Sequence, residues 1–181
     1  MRTRLSALLL APALLLQGCT PIAPPSPLSQ LLDSVDRRLD LATAVALSKW
    51  DSGQAVQATD REQQVIAKAQ SQADRFGLSE QRAGDFFADQ IEANKLLQYS
   101  ALSRWQAQGY APPTPRTDLQ TQLRPQLDRL QHVLLSQLAE FDRSRPQDCR
   151  TLLAQAITHR TQNPPRTLAL IRATGQLCRA D

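Results

Sequence analysis

Five residues in the first hundred have the types needed for chemistry on an anion. Arg38 and Lys49 lie eleven residues apart, Arg61 follows twelve after Lys49, and Asn94 and Gln98 stand four apart further on. A cation or an amide N–H can hold a carboxylate, or stabilise a growing negative charge, without being consumed. Other chemistries lack a signature. There is no glycine-rich phosphate loop, no CxxC pair and no HExxH, and His132 and His159 are the only histidines. His132 sits in a leucine-rich stretch and His159 near a helix end, and both read as structural. No serine nucleophile with a histidine base is signalled. What remains is charge stabilisation with neither a covalent intermediate nor a metal.

Those residues need helices to hold them. Ser79 to Gly109 reads as one long helix, with Ser79 as N-cap after the Gly77 break and Gly109 as C-cap before the prolines. Phe87, Ile91, Asn94, Gln98, Ala101 and Trp105 fall on one stripe of it, which should be its buried seam. A buried amide without a partner costs roughly 1–3 kcal/mol. Asn94 and Gln98 therefore either clamp one helix to another or line a pocket for a polar ligand.

A first helix runs from about Ser29 to Trp50, with Leu32, Val35, Leu39, Ala42 and Ala46 as its seam. Arg38 and Lys49, about three turns apart, point the same way roughly 16 Å apart along the axis. Each could equally be a solvated surface cation. Asp51 to Thr59 is a polar loop. Asp60-Arg61-Glu62-Gln63 opens a second helix, in which Asp60 can cap and Gln63 reach back. Arg61 in that first turn opposes the helix dipole, a mild misfit that hints at a role other than stability. That helix carries Val65, Ile66, Ala69, Ala73 and Phe76 and stops at Gly77. After the rigid Tyr110 to Pro115 connection, a fourth helix begins near Asp118, and Pro125, just after Arg124, either starts its regular part or kinks it. Two shorter helices, about Pro146–His159 and Pro165–Arg179, close the chain around the start signal Asn163-Pro164-Pro165.

The composition suits this reading. The 181 residues are 41% hydrophobic but only 4% aromatic, with six glycines and abundant Leu, Ala and Gln, which favours one all-helical domain. Arg2, Arg4 and the Leu/Ala-rich run to Leu16 form an export signal over residues 1–19, with an apolar run of about twelve residues against the ~20 a membrane span needs. Without Arg2 and Arg4 the net charge falls from +4 to +2, and no basic run interleaves with aromatics, so nucleic acid is not an expected partner. Residues 20–28 read as a proline-rich tether ahead of a helical domain over 29–181. Of three cysteines, Cys149 and Cys178 come level in an antiparallel helix pair, which an exporting cell can oxidise to a disulfide. Cys19 is then left over. The expected fold is all-α: a single domain of about six helices, one long and central, with a disulfide-stapled C-terminal hairpin.

The ordered set Arg38, Lys49, Asp60-Arg61-Glu62, Asn94 and Gln98 resembles the all-helical chorismate mutase family. The strings Leu47-Ser48-Lys49-Trp50 and Asp89 to Ser100, the export signal and the two C-terminal cysteines resemble its secreted subclass. Leu16-Gln17-Gly18-Cys19 also resembles a bacterial lipoprotein signal, in which Cys19 would be lipidated and would be the only membrane anchor. The family rearranges chorismate to prephenate without a cofactor, and its members are dimers. The resemblance implies that Lys49 and Gln98 bond the ether oxygen, that Arg38, Arg61 and Arg124 hold the carboxylates with Asn94 assisting, and that Glu62 receives the ring hydroxyl. Matching Arg124 takes a one-residue insertion before Pro125. The family's acid three residues before the second-helix arginine is Ala58 here, and Gln98 and Asn94 stand where secreted relatives often carry Glu and Thr. Two other readings keep the same residues: a non-catalytic helical binding or scaffold protein of the envelope, and a receptor for small carboxylates.

The amide at position 98 makes a kinetic prediction. An amide donates a hydrogen bond at any pH, whereas a glutamate must first be protonated. Measured kcat should stay nearly flat from mildly acidic to neutral pH. A steep loss above pH 5 would count against this role for Gln98.

Overall fold

The computed structural model describes residues 24–179. The expected export signal and Cys19 lie outside them. Seven α-helices follow in order: α1 (Pro27–Asp40), α2 (Ala42–Ser52), α3 (Thr59–Gln72), α4 (Glu80–Gln108), α5 (Arg124–Arg143), α6 (Cys149–Arg160) and α7 (Pro164–Ala173). No strand occurs among the described residues, and none of their helices is long and apolar enough to cross a membrane.

The long helix α4 is the centre, and the sequence sets its ends. Ser79 accepts the N–H of Arg82 at 3.0 Å, and Gly109 takes the left-handed conformation at φ 80°. Its expected seam is buried throughout, from Phe87 to Trp105. Around it α1, α5 and α7 supply an apolar core that includes Leu31, Leu32, Leu134, Leu138 and Leu170. Gly84 lets α3 approach closely, since a Cβ there would sit 2.8 Å from the Gln70 amide.

Three local expectations need correction. The first helix is two helices, broken at Leu41. The carbonyl of Arg38, just before the break, accepts a hydrogen bond from Asn94 Nδ2 at 3.2 Å, so a polar side chain from α4 enters the backbone ladder there. At α3 the cap is neither Asp60 nor Gln63. The N-cap is Ala58, which has no side chain to offer, and Glu62 instead reaches back to its N–H at 2.9 Å. Helix α7 ends at Ala173 rather than Arg179, and side chains of α4 take up the backbone groups there. Gln90 donates to the Ala173 carbonyl at 2.8 Å, and Arg82, 3% exposed, donates to the carbonyls of Gln176 and Leu177 while forking onto Asp142. Pro125, by contrast, starts the regular part of α5, after one π-helical turn over Leu119–Leu123 that Asp118 caps.

Cys149 and Cys178 form the expected disulfide, with Cα atoms 5.7 Å apart. It closes a loop of 29 residues in sequence, worth about 3–4 kcal/mol in the chain-entropy model. Replacing both cysteines with alanine should lower the unfolding free energy by about that amount in urea titrations. Activity well below the melting point should be kept, because neither cysteine lines the cavity described next.

Candidate active site

One cavity of about 820 Å³, including its open mouth, lies between α1, α2, α3, α4 and α5. Arg38, Lys49, Arg61, Glu62, Asn94, Gln98 and Arg124 all line it. Breaking the first helix at Leu41 does not separate Arg38 from Lys49: α1 and α2 each deliver one cation to the same space.

Two of those cations are buried deeply. Arg38 is 5% exposed, and its Nε has no hydrogen-bond partner among the described residues. Its guanidinium lies 5.9 Å from the centre of the Phe87 ring. Burial, and then the neighbouring charge of Arg61, push its pKa down to about 10, with Asp128 opposing. Lys49, 8% exposed, donates from Nζ to the carbonyl of Val56 at 2.7 Å. Burial lowers its pKa, Arg124 and Lys95 add to that, and Glu62 opposes it. Arg61 is half-buried on α3 and pairs with Asp128 of α5 at 3.0 Å. Arg124 opens α5, half-buried, and donates to Gln120.

The two amides form a directed chain. The Arg38 carbonyl can only accept, so Asn94 must turn Nδ2 toward it. Asn94 Oδ1 then faces Gln98, which must present Nε2, and the two meet at 2.7 Å. One N–H of Gln98 is thereby used, its second remains, and Gln98 Oε1 is buried without a partner among the described residues. The amides act as a clamp between helices and as part of the cavity wall at once.

Among the lining residues that escape the sequence reading, three bear on the site's charge and polarity. Lys95 bonds Glu62, Asp128 bonds Arg61, and Gln131 is 2% exposed with Nε2 unpartnered among the described residues. The signals were available: Lys95 is one turn after Ile91, and Asp128 one turn after Arg124, so each shares a face with a lining residue. Five cations thus face two carboxylates across the cavity, an excess of three positive charges. Among the described residues no group of three or more His, Cys, Asp or Glu could hold a metal ion. The arrangement can seat a small dianion and direct N–H donors onto it.

Residues 29–99 match the family profile described as chorismate mutase type II. The secreted chorismate mutase of Mycolicibacterium smegmatis is 33% identical over 159 residues, which are 85% of this chain and 87% of that protein. The chain belongs to the chorismate mutase family. Solved chorismate mutases have the same architecture. That of Burkholderia phymatum superposes with a TM-score of 0.79 at 39% identity, covering 85% of this chain and 97% of the other. That of Burkholderia thailandensis gives 0.78 at 33% identity, covering 84% and 99%.

The buried Arg38 makes a prediction about this family member's empty state. With its pKa held below that of the unfolded chain, Arg38 opposes folding at every pH below about 10. The opposition is relieved as pH rises from there toward the higher pKa of the unfolded chain. Replacing even a paired set of buried charges by apolar side chains is often neutral or stabilising by roughly 1–4 kcal/mol, and an unpaired buried charge has no partner's attraction to lose. Arg38→Met should therefore raise the unfolding free energy of the protein at pH 7 by about 1–2 kcal/mol, read by urea denaturation. A destabilised variant would show that the guanidinium is better satisfied than its surroundings indicate.

Proposed function

We infer that this protein is a chorismate mutase, an isomerase that converts chorismate to prephenate, a step toward phenylalanine and tyrosine. The observation that carries the reading is the placing of buried Arg38, Lys49 and Gln98 around one cavity with an excess of positive charge. The substrate is a dianion. In its pericyclic rearrangement the ether C–O bond breaks as a C–C bond forms, and negative charge grows on the ether oxygen.

Each cavity residue then has a task. Lys49 Nζ and the second N–H of Gln98 donate to the ether oxygen. The Asn94–Gln98 bond fixes the direction of that amide before substrate arrives, so little reorganisation is needed in the transition state. Arg38, Arg61 and Arg124 hold the two carboxylates, with Asn94 assisting. Arginine suits this because its planar fork meets a carboxylate with two parallel bonds. Holding the substrate compact supplies a further part of the rate. Glu62 receives the ring hydroxyl. Ala58, in place of the family's acid, brings only its backbone N–H, and that is occupied by Glu62.

We further propose that the mature protein works outside the cytoplasm, periplasmic or secreted, as the name of its Mycolicibacterium smegmatis relative says of that protein. A lipid on Cys19 is one form it could take there. We also propose a homodimer. In such a dimer the seven site residues named above would be supplied by each protomer to its own cavity.

The deciding experiment is chorismate consumption by the oxidised chain from Thr20 onward, with Lys49→Ala alongside. Turnover to prephenate should fall by about 10²–10³-fold in kcat/KM in the variant, the usual loss when one donor to a developing oxyanion is removed. Binding of a chorismate-like dianion without turnover by the wild-type chain would make the cavity a carboxylate receptor instead. Neither binding nor turnover would leave a helical scaffold.

A further inference from the structure

Lys95 is an unexpected residue in its place. It lines the cavity from α4 and is 8% exposed. Lysine is almost never buried unless paired. Its Nζ lies 2.7 Å from Gln57 Oε1, 3.1 Å from Glu62 Oε2 and 2.7 Å from Glu92 Oε1. Glu92 is half-buried, with its side chain 43% exposed, and does not line the cavity, so Glu62 is the partner that faces inward. Burial weakens the ammonium's hold on its proton, but the bonds to Glu92 and Glu62 outweigh that and raise the pKa.

Glu62 is nearly saturated as a result. Oε1 accepts the Ala58 N–H, and Oε2 accepts from both Lys95 and Gln57. A carboxylate has roughly four acceptor positions, so about one is left for the cavity. That suits a single hydroxyl hydrogen. The charge is also partly spent. The Lys95 ammonium lies 3.1 Å from Glu62 Oε2 and acts on Lys49 in the opposite direction to Glu62, so it offsets part of that carboxylate's charge inside the cavity. A cation brought to this corner would gain little from Glu62 and would meet Lys49 and Arg124 nearby.

We propose that Lys95 determines substrate specificity: by neutralising Glu62 it makes that corner a seat for the uncharged ring hydroxyl of chorismate and rejects a ring ammonium at the same position. The proposal rests on the chorismate mutase reading with Glu62 at the hydroxyl. Lys95 is a positioning residue, acting through Glu62 and Gln57 without touching substrate.

The test compares chorismate with its analogue carrying an amine in place of the ring hydroxyl. Wild-type protein should prefer chorismate in kcat/KM. Lys95→Met leaves Glu62 charged and underpaired, and should narrow that preference at least tenfold. The double variant Lys95→Met/Glu62→Gln removes the exposed charge and should move the preference back toward wild type. Lys95→Gln serves if the methionine variant does not fold by circular dichroism, with the same narrowing expected. If both substrates lose activity in equal proportion, leaving the ratio unchanged, Lys95 is only structural and the proposal is wrong. If wild-type protein does not turn over chorismate, the reaction assigned above fails separately. The ratio of calorimetric affinities for the same two molecules then decides the role of Lys95 by the same criterion.

Discussion

Burying like charges inside a helical bundle is the constraint on which the rest of this structure depends. Arg38 and Lys49 are almost wholly removed from water, yet neither has a carboxylate partner in direct contact among the described residues. Taking an unpaired charge out of water costs several kcal/mol even after relaxation. The bundle offsets only part of this locally, with the Val56 carbonyl for Lys49 and the face of Phe87 for Arg38. The remainder has to come from packing away from the cavity. This is the leucine-rich contact of α1 with α5, and the C-terminal hairpin on α4.

That division explains why the chain continues well beyond Asp128, the α5 carboxylate that faces the cavity. Helices α6 and α7 contribute no residue to the cavity. Their contribution is mechanical. The disulfide staples them together, and Arg82 and Gln90 on α4 cap the end of α7 while Arg82 also holds Asp142 of α5. Arg166 on α7 likewise forks onto Asp36 of α1. The first half of α4 is thus fixed on its outer side by polar clamps, and its middle presents Asn94, Lys95 and Gln98 inward from a backbone that cannot shift independently. A site that stabilises charge needs such rigidity, because donors that must reorganise during the reaction lose most of their advantage.

Much of this was legible in the sequence, and the reasons are local. The α4 seam obeys helical periodicity, so Asn94 and Gln98 stood out as amides among apolar neighbours. Ser79, Gly77 and Gly109 mark boundaries through backbone conformations that depend on one residue each. The spacing of Arg38, Lys49 and Arg61 carried the family resemblance even though the helix drawn through the first two is broken. What was not legible depends on partners distant in the chain. The break at Leu41 accompanies a hydrogen bond from Asn94, 56 residues away from Arg38. The pairing of Lys95 with Glu62 spans 33 residues and that of Arg61 with Asp128 spans 67. Helical spacing can put Lys95 and Asp128 on the faces of Ile91 and Arg124, but it does not name the partners that hold them there.

Those two pairs also explain how a cavity so rich in cations can select one kind of anion. If all five cations were equally free, any polyanion would be attracted. Pairing Lys95 with Glu62 and Arg61 with Asp128 quiets the α3 side of the cavity, while Arg38, Lys49 and Arg124 are left without a carboxylate in contact among the described residues. Arg61 remains recruitable, because its bond to a half-exposed Asp128 is shared with Lys68 and is weak in water. Lys95 is held more firmly, by three partners at once. The cavity therefore has a strongly attractive side, formed by α1, α2 and the start of α5, and a nearly neutral corner at Glu62. A small dianion whose uncharged end met Glu62 would match that gradient, because the uneven placing of charge along the cavity wall, and not the charge total, would then set which way round it lies.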